Sequence, residues 1–496
     1  MGYDTDMQTV RERERKYETS AGIAVPDLGG DGVVVDQDPV VRRLDATYFD
    51  TPDLRLSRAE LALRRRTGGD DAGWHLKVGA AGATRTEHQR PLTPGPTPPA
   101  DLLRLVRTAA RGQPVEPVAR IETRRREWRM RAADDGTVLA VVADDTVVGH
   151  DLVDGRRLAW HELEVELVDG DDALLAAVDR RLRAAGVRPA SSAKVHRVLG
   201  ERLARAGSVE AGAATPVLAY AAAARDALAA NEPGARDGDV DAVHDMRVAV
   251  RRLRSTFQTF RALWDRETVT RLRGELRWLG EQLGAVRDAQ VMAARLAKAL
   301  RRHPDEVVVG PVTARVRERF AADEAAALRA LRRALGSARY LDLLAALDAA
   351  VESPPGTRVR PGWVDRRIRK AVRRADRRLA AALERQADGV DDDDPALHEA
   401  RKAYKRARYA VEVRKAEGDK RARRLAKRMK RLQDLLGDHQ DSVVTRQALR
   451  RLATSAYGQK ENTFTYGLLY GEQVAGGRAL VDGLPAAWDR VRQTRL

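Results

Sequence analysis

"RERERKYET", residues 11–19, opens with six charged side chains in succession, and two geometries are open to it. In a strand, successive side chains alternate between faces. Glu12, Glu14 and Lys16 then project together, with Arg11, Arg13 and Arg15 behind them. In a helix, Glu12 and Lys16 form an i,i+4 ion pair on a solvated surface. The strand gathers two carboxylates and an ammonium into one pocket; the helix adds only solubility.

Neighbouring stretches favour the strand. In "HELEVEL" (161–167), Glu162, Glu164 and Glu166 share one face, while His161, Leu163, Val165 and Leu167 share the other. "LALRRR" (61–66) sets Arg64 and Arg66 on one face, Lys77 follows in "WHLKV" (74–78), and Lys194 and Arg197 occur in "SSAKVHR" (191–197). "TGGDDAG" (67–73) reads as a hairpin loop between two of these runs. "TVLAVVADDTVV" (137–148) is a further short β-branched run. Pro-rich "PLTPGPTPPA" (91–100) reads as a loop, with a helix expected from Asp101 to about Gly112. Many short strands with one or two helices predict an antiparallel sheet or barrel.

A barrel enclosing these groups sets an acidic cluster against a basic one. Burying such charges costs several kcal/mol per ion unless they are compensated. A divalent metal and a polyanion are the natural compensators, because hard cations such as Mg²⁺ or Mn²⁺ take carboxylate oxygens and share phosphate oxygens. Metal-assisted phosphoanhydride hydrolysis, with Arg and Lys stabilising the transferring and leaving phosphates, suits this inventory. The sequence shows neither a Ser/His/Asp pattern nor a Walker-type phosphate loop.

Composition narrows the classes further. The 496 residues suffice for two or three domains. The absence of cysteine excludes disulfides, zinc thiolates and thiol nucleophiles. The first residues lack a signal-peptide pattern, and no apolar run approaches the roughly 18 residues of a spanning helix, so a cytoplasmic protein is expected. Net charge is +17, divided unevenly. Residues 1–200 hold 31 Lys+Arg and 33 Asp+Glu (−2), leaving 59 and 40 (+19) for the remainder. This points to a polyanionic partner. Aromatics at 4% supply few stacking platforms, which tilts the choice toward phosphate and away from nucleic acid.

Beyond about residue 205, Ala, Leu and Arg dominate at helical spacing, and the pattern repeats. "HDMRVAVRRLR" (244–254) matches "HEARKAYKRAR" (398–408), and "LGAVRDAQV" (283–291) matches "LGDHQDSVV" (436–444). His244 precedes Asp288 by 44 residues and His398 precedes Asp441 by 43. A duplicated helical unit follows. His244, Arg247, Arg251 and Arg254 stand at offsets of 0, 3, 7 and 10, and His398, Arg401, Lys405 and Arg408 reproduce them. At about 100° per residue each set spans an arc of roughly 80°. Arg252 and Arg406 widen its edge. Like charges at these spacings repel, so an anion that offsets the repulsion is expected, with Asp288 and Asp441 orienting stripe residues by ion pairing. The two histidines are expected to add charge beside it.

The helical part resembles the CHAD family (conserved histidine α-helical domain) through its paired "HxxRxxx[RK]RxR" and "LGxxxDxxV" motifs. The resemblance implies inorganic polyphosphate bound along a basic channel between two pseudo-symmetric bundles, at His244, Arg247, Arg251, Arg252, Arg254, His398, Arg401, Lys405, Arg406 and Arg408. Gln440 stands where the first copy has Arg287. The first part resembles the CYTH family, the triphosphate tunnel metalloenzymes, through Glu12-x-Glu14-x-Lys16 and "YFDTPDLRLSRAELALRRR" (48–66). That implies an eight-stranded antiparallel tunnel barrel with flanking helices, binding triphosphate and Mg²⁺ or Mn²⁺. Carried over, Glu12, Glu14, Glu162 and Glu164 hold metal, with Glu164 and Glu166 as the alternative register of the late pair. Asp144 or Asp145 joins them, Asp144 being taken. Lys16, Arg64, Arg66, Lys77 and Lys194 bind phosphate, together with Arg124 or Arg126, Arg124 being preferred.

The expected organisation is multidomain α+β: a tunnel barrel over 1–205, a linker over 206–216, and a helical domain over 217–496 with repeats at about 217–350 and 360–496. The expected function is metal-dependent hydrolysis of inorganic triphosphate or short polyphosphate, localised on polyphosphate granules by the helical domain. The alternatives are a non-catalytic polyphosphate-binding protein, or a nucleoside triphosphatase, thiamine triphosphatase or adenylate cyclase.

Overall fold

In the computed structural model the described residues are 8–19, 26–30, 32–79, 84–190, 193–206, 215–352, 359–387 and 395–494. Most of the expected linker, residues 207–214, lies outside them. The chain divides into two units, Met1–Ser208 and Val209–Leu496.

Residues 11–19 lie in a strand. In chain order the strands are β1 (Gln8–Thr19), β2 (Val33–Val35), β3 (Val40–Asp50), β4 (Leu61–Thr67), β5 (Gly73–Val78), β6 (Thr84–Pro91), β7 (Glu116–Ala132), β8 (Val138–Asp151), β9 (Arg157–Leu167) and β10 (Arg188–Ala190). Eight of them close an antiparallel ring in the order β1-β6-β5-β4-β3-β7-β8-β9, with β9 returning to β1. Closure leaves no open sheet edge in the ring, and the pleat sends alternate side chains inward and outward. β2 extends β7, and β10 pairs with the end of β1.

The short helices of this unit are α1 (Arg55–Arg58), α2 (Ala100–Val106), α3 (Asp172–Ala184), α4 (Lys194–Val198) and α5 (Gly200–Ala206). Outward apolar residues bind two of them: Tyr17, Val142, Leu163 and Val165 pack with Leu175, Val178 and Leu182 of α3. Phe49, Leu63, Trp74 and Leu76 pack with Leu102 and Val106 of α2. α2 stops at Val106, short of the expected Gly112, and the chain continues through turns to Arg111 and Gly112, at φ 55° and 73°. α4 differs in kind. Its Val195 and Val198 pack on Ala46, Tyr48, Ile121, Val147 and Trp160, which have lumen parity, so α4 fills one end of the barrel. The sequence suggested another charged strand here; Lys194 instead enters the lumen from a helix.

The second unit is all helical: α6 (Thr215–Ala230), α7 (Glu232–Asp237), α8 (Val240–Thr259), α9 (Arg266–Leu300), α10 (Val312–Leu335), α11 (Ala338–Glu352), α12 (Trp363–Ala387), α13 (Pro395–Ala416), α14 (Lys420–Gly458), α15 (Phe464–Asp482) and α16 (Leu484–Arg492). Packing repeats: α6 on α8, α8 on α9 and α9 on α10 correspond to α12 on α13, α13 on α14 and α14 on α15. The repeats meet where α8 packs on α13, with α6 also reaching α13 and α12 reaching α8. Leucines such as Leu253, Leu276, Leu283, Leu425, Leu432 and Leu436 share one continuous core.

Candidate functional site

Inward parity assembles the barrel site. β1 contributes Glu12, Glu14 and Lys16; β4 Arg64 and Arg66; β5 His75 and Lys77; β6 Glu87 and Gln89. β7 adds Arg125, β8 Asp145, β9 Glu162, Glu164 and Glu166, and α4 Lys194. The lumen encloses a cavity of about 180 Å³.

The acids form two nests. In the first, one carboxylate oxygen each from Asp145, Glu162 and Glu164 lies within 4.8 Å of the others. Lys194 Nζ stands 2.9 Å from Asp145, 2.5 Å from Glu162 and 2.9 Å from Glu164. Lys16 Nζ donates to Glu164 at 2.5 Å and lies 3.4 Å from Glu14. Arg125 grips both oxygens of Asp145 at 2.8 and 2.7 Å and reaches Glu164 at 2.5 Å. Trp160 Nε1 donates to Glu162 at 2.7 Å. Burial pushes Glu164 upward, but Lys16, Lys194 and Arg125 outweigh it and hold the carboxyl well below its ordinary range. Ammonium and guanidinium groups thus balance the carboxylates of this nest.

In the second nest, Lys77 Nζ lies 2.6 Å from Glu12 and 3.9 Å from Glu87. Glu87 also meets His75 Nδ1 at 3.0 Å, Gln89 Nε2 at 3.0 Å and Arg64 at 3.6 Å. Burial, then the hydrogen bond with Glu87, pushes Glu12 up to about 8. Burial acts the same way on Glu87, yet His75, Glu12, Lys77 and Arg64 hold it low. Their mutual contact thus pushes the two carboxyls in opposite directions. Glu166 is also raised, by burial first.

Facing the acids, Arg64 donates to Tyr48 at 3.4 Å, and Arg66 pairs with Asp71. Burial and then the neighbouring Arg64 and Arg125 push Arg66 down to about 9. This wall gains from an arriving anion. The donor set also fits a hard divalent cation: the first nest offers only carboxylate oxygens, and an ammonium within 2.9 Å of all three already stands in for a cation there.

Two expected residues lie elsewhere. Arg124 is exposed on the outer face, and Arg126 bonds Asp144 there at 3.0 Å. Arg125 and Asp145 take the inward places, because the register sets Arg125 opposite Asp145 and Asp145 opposite Glu162. Neither "RRR" nor "DD" alternates in character, so parity had to come from neighbouring strands. Ile121 and Thr123, both lumen-lining, carry the signal for Arg125. Glu87 was missed too, though "TEHQR" (86–90) places Glu87 and Gln89 at period two. Arg197 lies outside, 3.2 Å from Glu18 and stacked on Trp160.

In the helical unit, the stripes of α8 and α13 converge. Arg247 bonds Asp288 of α9 at 2.8 Å, and Arg401 lies 3.9 Å from Asp441 of α14. Each arginine lies across the glycine of its "LG" pair, closely only in the second copy. A Cβ on Gly437 would stand 3.1 Å from Arg401 Nη2, and one on Gly284 would stand 3.8 Å from Arg247 Nη2. Burial, then Arg401, Arg251 and Arg247, push Lys405 down to about 7, so cations from both helices crowd one spot. His244 is lowered by burial and then Arg287; His398 by burial and then Lys402, against a hydrogen bond from Gln440. At neutral pH both histidines carry less charge than their spacing suggested. Arg252 and Arg408 are drawn to buried Glu412, which also accepts from Tyr220 at 2.7 Å. Arg254 is lowered by burial and then Arg273, and Arg406 by burial and then Arg374, so these two sit among further arginines. Among the described residues, no helix is long and apolar enough to cross a membrane.

Comparison with known proteins places this geometry in context. A CYTH domain matches residues 11–197 and a CHAD domain matches residues 219–450. An uncharacterised protein of Mycobacterium tuberculosis is 37% identical over 490 residues, covering 93% of this chain and 92% of that one. Human thiamine-triphosphatase is 33% identical over 135 residues, 24% of this chain and 57% of that protein. Among solved structures, the CHAD domain from Ricinus communis is similar at 26% identity and a TM-score of 0.42, covering 56% of this chain and 92% of that one. The chain belongs to the CYTH family of triphosphate tunnel enzymes through its barrel and carries a CHAD domain as its helical unit.

Proposed function

We propose that the barrel hydrolyses inorganic triphosphate or short polyphosphate with the help of a divalent metal, and that the CHAD unit binds polyphosphate and holds the enzyme on it. One observation carries this reading: a lumen in which a carboxylate nest faces a wall of crowded cations. Glu12, Glu14, Asp145, Glu162 and Glu164 would hold Mg²⁺ or Mn²⁺, which when bound supplies Lewis-acid polarisation of phosphoryl oxygens. Lys16, Arg64, Arg66, Lys77 and Arg125 bind and orient the phosphate chain and stabilise charge on the leaving phosphate. Lys194, seated by α4, bridges the three carboxylates and offsets their mutual repulsion.

A second reading also has support. Leu44, Ala46, Ala62 and Ile121 give the same cavity an apolar side, and one relative is a thiamine-triphosphatase, so an organic triphosphate is the competing substrate. A phosphate-release panel of tripolyphosphate, thiamine triphosphate and ATP, with Mg²⁺ or Mn²⁺ and with EDTA, separates them. We expect tripolyphosphate to be turned over fastest, EDTA to stop the reaction, and Glu164→Gln to abolish it. Equal release by wild type and Glu164→Gln removes the enzyme reading. In the cell, this assignment places the protein at cytoplasmic polyphosphate deposits.

A further inference from the structure

The β4–β5 loop "TGGDDAG" carries two aspartates for which hydrolysis has no use. The loop is folded hard against β3: Gly68 and Gly69 adopt φ 79° and 78°, and a Cβ on Gly68 would stand 2.0 Å from the carbonyl oxygen of Arg43. Only glycine permits that approach. Asp70 takes both prongs of Arg42, at 2.8 and 2.5 Å, and Arg42 Nε donates to Glu127 at 2.9 Å. Arg42 and Glu127 lie on lumen parity beyond Leu44 and Arg125, at the end of the barrel away from α4. The backbone carbonyl of Asp71 lies 3.0 Å from His75 Nε2, whose other nitrogen meets Glu87. With its main chain so fixed, Asp71 places its carboxylate on Arg66 while remaining half-exposed. An internal carboxylate thus occupies a cation of the phosphate-binding wall.

We propose that Asp71 is a built-in competitor for the phosphate position at Arg66, a specificity-determining residue that a multiply charged oligophosphate displaces and a weakly charged anion does not. This rests on the triphosphate reading of the lumen. A triphosphate offers several charges to Arg64, Arg66, Arg125 and Lys77 together, and so outbids one carboxylate; orthophosphate offers fewer and is released. Being half-exposed, Asp71 swings into water at little cost.

The test uses the full chain and reads binding apart from turnover. Tripolyphosphate is titrated calorimetrically in EDTA, the barrel isotherm being identified by its loss in Arg64→Ala. In Asp71→Asn the barrel dissociation constant should fall about five- to tenfold, the worth of one partly exposed charge-assisted bond. In the metal-loaded enzyme, KM should fall by the same factor with kcat unchanged, and orthophosphate should inhibit more tightly. Asp71→Ala, with its melting midpoint recorded, should behave alike. Unchanged or weakened binding in both folded variants overturns the proposal, whereas wild type that binds but does not hydrolyse tripolyphosphate overturns only the catalytic reading.

Discussion

Lys405 bears the sharpest electrostatic conflict of the helical unit, and its sign can be worked through. Its pKa falls from 10.5 to about 7 on folding, by burial and by Arg401, Arg251 and Arg247. Between these values the unfolded chain binds more protons than the folded one, so this lysine makes stability rise with pH from about 7 to 10.5. Bound polyanion restores the charge. Polyphosphate binding should therefore take up a proton and weaken as pH rises from about 6 to 8, measured by titration in buffers of different ionisation enthalpy. Lys405→Met should raise the melting temperature while weakening binding; a lower melting temperature would contradict the conflict. In the barrel, Arg125→Ala should cost about 10²-fold in kcat/KM, while outward Arg124→Ala stays within about twofold. Equal losses would sink the parity assignment. Single residues were legible where charge alternates with apolar partners, as in "HELEVEL", and illegible inside the uniform runs "RRR" and "DD".

At the scale of elements, α4 shows what a local pattern hides. "AKVHR" has charges two and three apart and too few residues to display a helical period, so only the barrel end it fills reveals its type. Gly149 is the seat of that plug: a Cβ there would stand 2.4 Å from Val198 Cγ2 and 3.1 Å from the Trp160 ring. Gly149→Ala should cost about 1–3 kcal/mol of stability through overpacking, and should lower turnover because Lys194 shifts with its helix. Val198→Ala in the same chain should restore both, read by thermal melting and phosphate release. Failure of the double variant to recover turnover would detach Lys194 placement from the plug. The paired stripes of α8 and α13 were legible as offsets because their motifs recur. The close arginine that the glycine of the second "LG" admits emerged only from the structure.

For the whole molecule, the imbalance of −2 against +19 across residue 200 was visible from counting alone, and it separates two kinds of phosphate recognition. The barrel's charges are largely paired and buried: Lys194 and Lys16 expose about a tenth of their side chains, and Asp145 none. Salt screens such pairs little. The helical unit instead meets its anion with a net excess of cations, many of them partly exposed, and its binding displaces counterions from both partners. Raising salt from about 50 to 300 mM should weaken long-chain polyphosphate binding by at least about tenfold, because each neutralised phosphate adds to the salt slope. KM for tripolyphosphate should move by less than about threefold over the same range. Calorimetry and phosphate release on the full chain give the two slopes. If they coincide, one surface is serving both anions; if the hydrolytic slope is shallow and the binding slope steep, the enclosed lumen and the basic stripes are separate receptors, each suited to a different length of the same polymer.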